Sequence, residues 1–198
     1  MHYPVNVFVG KVRDYDGSRP SAIGKVQVDG ELTLGDLGLE GDEQAEKKIH
    51  GGPDRALCHY PREHYAHWAL ELPQQADLFC APAFGENLST EGLTEKNVYI
   101  GDIFRWGEAL IQVTQPRSPC FKLNYHFAVS DMAQLMQNSG KTGWLYRVVA
   151  GGQVSAMRRW RWYPGLATSA FTKRGLSPGR CRLMMTSTAV YFPRRGCR

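Results

Sequence analysis

Tyr3, Val5, Val7 and Val9 alternate with other residues, the two-residue period of a strand with one buried face, and Gly10 ends the run. A second short strand with a turn at Gly30 is predicted from Lys25 to Asp29. Leu32 to Gly41 is punctuated by glycine and holds no period, so irregular structure is expected there. Between Pro61 and Pro73 the apolar spacing becomes that of one helical face, over Arg62 to Leu72. Val98 to Trp106 and Ala109 to Thr114 read as strands of a hairpin turning at Gly107-Glu108. Ser130 is placed to cap a helix over Asp131 to Asn138, closed by Gly140. A last strand runs from Trp144 to Val149 and stops at Gly151-Gly152. Many short strands, two modest helices and glycine-rich corners predict a mainly β fold with attached helices, a barrel rather than a doubly wound sheet. No internal repeat is present. No Gly-x-Gly-x-x-Gly follows a strand and no P-loop occurs, which argues against dinucleotide-binding and nucleotide-hydrolase folds.

The length, 198 residues, suits one domain with an appendage. A chain of this size buries roughly 70% of its unfolded surface, so it needs no disulfides. No run approaches the ~18 apolar residues of a membrane span. Met1-His2-Tyr3-Pro4-Val5 lacks the basic start and apolar stretch of a signal peptide, so a cytoplasmic location without membrane partners is expected.

Charge divides the chain. Residues 1–155 hold all 19 acidic residues, whereas residues 156–198 hold ten basic residues, nine of them arginine, and no acidic one. One reading is a basic arm in which Trp160, Trp162, Tyr163, Phe171, Tyr191 and Phe192 stack bases while arginines grip phosphates, giving non-specific nucleic-acid binding. The other is a tail foreign to the fold, produced by a reading-frame change near residue 156. Absence of acids and of any sustained period favours the second. It predicts a β-barrel domain over 1–155 and an irregular, poorly ordered tail over 156–198. The five cysteines, Cys58, Cys80, Cys120, Cys181 and Cys197, are odd in number and include no Cys-x-x-Cys pair. Free thiols in a reducing compartment follow. Cys58 and Cys80 read as small buried hydrophobes.

Three loop-like clusters can carry chemistry. In Lys47-Lys48-Ile49-His50-Gly51-Gly52-Pro53-Asp54-Arg55, paired glycines let the backbone approach a ligand, and Lys47, His50 and Arg55 attract an anion. Phe84-Gly85-Glu86-Asn87-Leu88 offers an amide, Asn87, that both donates and accepts. Gln115-Pro116-Arg117-Ser118-Pro119-Cys120-Phe121-Lys122 leaves a strand as a proline-stiffened loop. There Arg117 and Lys122 flank Cys120, and neighbouring positive charge favours a thiolate, a soft metal ligand and nucleophile. His64 and His67 share a helical face but have no further ligand pair at zinc spacing, so a packing or surface role is expected. Ser118 has no Gly-x-Ser-x-Gly elbow around it.

Together and in this order, His50-Gly51-Gly52-Pro53-Asp54-Arg55-Ala56, Gly85-Glu86-Asn87-Leu88, Gly101-Asp102 and Gln115-Pro116-Arg117-x-Pro119-Cys120 resemble the MOSC domain family, named for the C-terminal domain of molybdenum cofactor sulfurase. The likeness covers residues 1 to about 155 and is nearest the stand-alone bacterial members associated with reduction of 6-N-hydroxylaminopurine. It implies a β-barrel that binds molybdopterin with molybdenum, a detoxifying N-hydroxyl reductase, and Cys120 as catalytic residue and metal ligand. The family is also associated with pyridoxal phosphate binding. The resemblance makes Lys47, Arg55, Arg117 and Lys122 candidates for the pterin's phosphate, with His50, Gly51, Gly52, Asn87 and Ser118 completing the cofactor site. No iron–sulfur spacing, haem motif or flavin fingerprint is present, so a separate electron-donating flavoprotein reductase is expected as partner. The alternative is a carrier of sulfur or molybdenum cofactor that turns over no substrate. After Ser155 the sequence departs from the family pattern, at the boundary the charge count marks.

Overall fold

The computed structural model describes residues 3–14, 20–158, 160–164 and 181–182. Among them the N-terminal part forms β1 (Val5–Val9), β2 (Arg13–Asp14), β3 (Pro20–Ser21), β4 (Val26–Gln27), β5 (Leu32–Gly35), β6 (Gly38–Leu39), the one-turn helix α1 (Lys47–His50) and β7 (Leu57–His59). Helix α2 (Glu63–Glu71) follows, then β8 (Leu88–Thr90), β9 (Tyr99–Ile100), β10 (Ile103–Trp106) and β11 (Ala109–Pro116). Helices α3 (Lys122–Phe127) and α4 (Met132–Ser139) precede β12 (Trp144–Ala150), β13 (Gly152–Val154), β14 (Trp160–Tyr163) and β15 (Cys181–Arg182).

Eight strands pair into one curled sheet, a half-barrel, in the order β14-β10-β11-β12-β7-β8-β1-β4. Its pairs are antiparallel except β7 with β8, which run parallel with His59 opposite Leu88. The alternation in β1 buries Val5 and Val7 in the core of the sheet, as the period predicts. That core is built from Leu57, Leu88, Phe104, Trp106, Ile111, Trp144 and Tyr146. A second core lies under the helices, where Phe84 stacks on Tyr60 at 4.2 Å and meets Phe127 at 4.9 Å between ring centres. No described helix is long and apolar enough to cross a membrane.

Several elements differ from the sequence pattern. Leu32 to Gly41 is a hairpin, β5 against β6, with Leu34 opposite Leu39 and both buried. Its strands are too short to show a period. The run Val98 to Trp106 is broken at Gly101, whose φ of +92° only glycine adopts readily. Asp102 then folds back to accept the Tyr99 N–H at 3.1 Å. The α4 N-cap is Asp131 rather than Ser130, and no side chain bonds there. Helix α3 escaped the pattern because six residues cannot show helical periodicity. Cys80 is exposed rather than buried. It follows the 3-10 turn Pro73–Leu78, where Phe79 fills the helical core and the chain turns outward.

The sheet also continues past residue 155. Strand β14 pairs with β10 from Ile103↔Tyr163 to Trp106↔Trp160, so the first stretch of the acid-free tail belongs to the half-barrel. Trp160 is fully buried against Phe104 and Trp106, with ring centres 5.3 and 5.5 Å away. Trp162 donates its indole N–H to Asp102 at 3.0 Å. The expected disorder of the rest of the tail falls outside the described residues, apart from β15, which pairs with β9. Truncating a buried tryptophan removes its apolar area and leaves a cavity. Trp160→Ala is therefore expected to lower stability by about 3–5 kcal/mol in chemical denaturation. A loss below ~1 kcal/mol would mean that β14 is not part of the core.

Candidate functional site

A cavity of about 440 Å³ lies where the half-barrel meets the helical core. Cys58 of β7, Gln115 of β11 and Leu145 of β12 line one side, and Phe84 and Leu123 the other. The loop after β11 supplies Arg117, Ser118 and Cys120, and His50 and Arg55 reach the same space from the segment after β6. Of the residues singled out in the sequence, the fold thus gathers His50, Arg55, Asn87, Arg117, Ser118, Cys120 and Lys122 around one cavity.

Lys47, Gly51 and Gly52 are not among its lining residues. Lys47 is exposed at the start of α1. The glycine pair shapes the chain instead. A Cβ on Gly51 would stand 2.4 Å from the Gln44 side-chain oxygen and 3.0 Å from the Lys47 carbonyl oxygen. Gly52 has a φ of +100° as the chain swings into the turn Pro53–Arg55. The helical histidines are structural: His64 bonds Glu95 at 2.8 Å, and His67 packs its ring on Trp68. Among the described residues, no group of three or more His, Cys, Asp or Glu is placed to hold a metal ion.

The polar groups differ sharply in how well they are satisfied. The Asn87 side-chain oxygen accepts the Cys58 N–H at 3.1 Å, and its amide donates to the Phe8 carbonyl and to Asp42 at 3.3 and 2.8 Å. Asn87 therefore positions the wall and has no spare N–H for a ligand. Lys122 donates to the Pro20 carbonyl at 2.9 Å and pairs with Glu46 at 3.3 Å. Arg117 contrasts with them: its Nη1 is buried and has no hydrogen-bond partner. A buried guanidinium nitrogen without an acceptor is costly, and an acceptor brought to it would relieve that cost.

Burial holds the His50 imidazole below its ordinary range, against the pull of Glu46 and with help from Lys122, Arg117 and Arg55. Burial also pushes the Cys58 thiol up, with Arg117 opposing it. Glu86 lies fully buried behind this wall. One carboxyl oxygen accepts from the Tyr65 hydroxyl, and the other, Oε2, has no partner. Burial pushes Glu86 up to about 7, although Tyr65 and Arg117 both favour its charged form.

Sequence reasoning missed Lys25, Asp42, Cys58, Gln115 and Glu86. Lys25 and Asp42 form a buried ion pair on the cavity wall, but they lie 17 positions apart, beyond any local pattern. Glu86 had a faint signal, an acid enclosed by Phe84 and Leu88 where strand alternation begins.

The arrangement offers two thiols, a guanidinium with one buried nitrogen unpartnered, and a half-buried imidazole around one cavity. The MOSC domain profile matches residues 46–157. Protein YiiM of Escherichia coli strain K12 is 76% identical over 156 residues, covering 79% of this chain and 70% of YiiM. The crystal structure of E. coli YiiM superposes with a TM-score of 0.70 at 64% identity, covering 82% of this chain and 70% of that one. A protein named reductase from Gibberella moniliformis is 40% identical over 139 residues, 70% of this chain but 25% of that protein.

Glu86 makes stability depend on pH. Its carboxyl rises from 4.5 unfolded to about 7 folded, so between these values the native state binds more protons than the unfolded chain. That contribution is whole below 4.5 and is lost as pH rises through about 7. The loss amounts to about 3 kcal/mol for a group so fully buried. Denaturation at about pH 5 and about pH 8 should show a smaller drop in Glu86→Gln than in the wild type. Equal drops would show that Glu86 does not titrate in this window.

Proposed function

Because the chain belongs to the MOSC domain family, we propose that it is a molybdenum-cofactor-dependent reductase of N-hydroxylated compounds of the 6-N-hydroxylaminopurine class. The observation that carries this reading is the buried, unpartnered Arg117 Nη1 in the same cavity as Cys120. A soft sulfur ligand and a waiting anion site are what a molybdenum bound to a phosphorylated pterin requires. The name of the G. moniliformis relative supports reduction as the reaction type.

The residues present fit that cofactor. Cys120 would bind the metal through Sγ, with the pterin's own sulfurs completing its soft ligand set. Arg117 and Arg55 would hold the anionic end, and Lys122, tied to Glu46, would guard the mouth. When bound, the cofactor supplies two-electron removal of the oxygen from an N–OH group, leaving the amine and water. His50, held neutral, has one nitrogen to donate and one to accept, which suits it to orient a polar substrate group. Phe84, Leu123 and Leu145 give the cavity apolar walls that limit water. The electrons come from a separate reductase of the flavoprotein class.

A second reading, a carrier of sulfur or cofactor without turnover, is favoured by one observation: Cys58 places a second thiol on the same cavity. A persulfide on Cys120 in the intact mass, with no N-hydroxyl reduction, would select it. The reductase reading predicts that Cys120→Ala, made in a host that synthesises the cofactor, folds normally but loses N-hydroxylaminopurine reduction. The loss should exceed the ~100-fold typical of a merely supporting residue. Activity retained within a few fold would exclude Cys120 as the ligand.

A further inference from the structure

We propose that Glu95, which does not line the cavity, is a positioning residue for the loop that carries Arg117 and Cys120, acting through Gly143. The inference rests on the reading above only for what that loop holds.

The loop leaves β11 where its pairing with β12 ends, at Pro116↔Trp144. One further bond follows, from the Arg117 N–H to the Gly143 carbonyl at 3.1 Å. The direction in which the chain departs toward the cavity therefore depends on where Gly143 is held. Gly143 has a φ of +69°, and a Cβ on it would stand 2.1 Å from the His59 carbonyl oxygen. Only glycine fits there, so no side chain can anchor residue 143. Its N–H supplies the anchor instead, donating to Glu95 Oε1 at 2.7 Å. An N–H given to a carboxylate makes a bond about twice as strong as one given to a neutral acceptor.

Glu95 is itself held. Its other oxygen, Oε2, meets Nε2 of His64 on α2 at 2.8 Å, and the two side chains are only 11% and 9% exposed. The stretch around Glu95 is braced as well. Leu93 is fully buried, the Thr94 N–H donates to the Asn97 side-chain oxygen at 2.8 Å, and the Asn97 amide donates to the Gly92 carbonyl at 2.8 Å. Helix α2, the chain after β8 and the start of β12 thus meet at one carboxylate, and the Arg117 N–H is joined to that carboxylate through Gly143 alone. The task needs two partners at a fixed reach more than it needs charge. Glutamine keeps an oxygen for the Gly143 N–H and an amide that can donate to a neutral His64 nitrogen. Aspartate keeps the charge but is one methylene shorter and cannot reach both.

The test compares Glu95→Ala, Glu95→Gln and Glu95→Asp in the full chain. Residue-resolved amide exchange reads the Arg117 N–H, and alkylation by iodoacetamide, mapped by peptide mass, reads each thiol. In Glu95→Ala the Arg117 amide and the Cys120 thiol should both react about tenfold faster, the change in local opening that loss of one charge-assisted bond brings. Glu95→Gln should stay near the wild type, and Glu95→Asp should move in the same direction as Glu95→Ala. If Glu95→Ala fails to fold, the contrast between Glu95→Asp and Glu95→Gln decides. The Cys58 thiol and the amides of β10 should not change, because a general loosening of the fold would move them too. Unchanged Arg117 exchange and Cys120 alkylation, or an equal rise at Cys58 and β10, overturns the positioning role and leaves the cofactor reading standing. Made in a cofactor-producing host, Glu95→Ala should also carry several-fold less molybdenum than Glu95→Gln. A loosened loop with equal molybdenum in both variants upholds the positioning role and counts against the cofactor's place on that loop.

Discussion

A single buried carboxylate holds the cavity wall together. Asp42 accepts from the Gly10 N–H at 2.8 Å and from the Lys25 ammonium on one oxygen, and from Asn87 on the other. Asn87 in turn bonds the Cys58 N–H and the Phe8 carbonyl. Five stretches of chain, around residues 8–10, 25, 42, 58 and 87, are thereby fixed to one another at the point where β1, β7 and β8 approach. Such a network is stable only when every member is satisfied, and removal of one partner leaves an uncompensated charge in the interior. The position of Cys58 follows from this knot.

The polar groups around the cavity are not equally satisfied. Lys25 with Asp42 and Lys122 with Glu46 are paired within the chain. Arg117 is not paired through Nη1. Among the described residues, the buried side-chain atoms left without a partner are Arg117 Nη1, Glu86 Oε2 and the indole nitrogens of Trp144 and Trp160; of these the guanidinium nitrogen is the cationic one, and its residue lines the same cavity as Cys120. The aromatic stack around Phe84 supplies a stiff floor, because interdigitated rings leave little room for the wall to collapse inward.

Much of this was legible in the sequence. The alternation in Tyr3 to Val9, the helix between Pro61 and Pro73 and the hairpin at Gly107-Glu108 reappear as β1, α2 and the β10–β11 turn. The loop with Arg117 and Cys120 showed itself through its prolines and its basic neighbours. Other features depend on tertiary contacts. The Lys25–Asp42 pair joins residues whose local patterns say nothing of each other. Asn87 looked like a ligand reader because its chemistry suits that task, yet its three bonds inside the chain use it as a brace. Gly51 and Gly52 looked like a ligand cradle, but a Cβ on Gly51 would run into Gln44 and Lys47, and Gly52 is required by its positive φ. The charge count set a boundary at 155, whereas the packing of Trp160 and Trp162 carries the sheet to Tyr163. A net charge reports on solvation and says little about which aromatic residues a sheet edge can bury.

A molybdenum cofactor anchored by the open guanidinium is tested most directly by elemental analysis of protein made in a cofactor-producing host. The wild-type chain should carry close to one molybdenum per molecule. Arg117→Met, with the same fold by circular dichroism, should carry little. A metal-free wild type, or full loading of Arg117→Met, would contradict the assignment of the cavity.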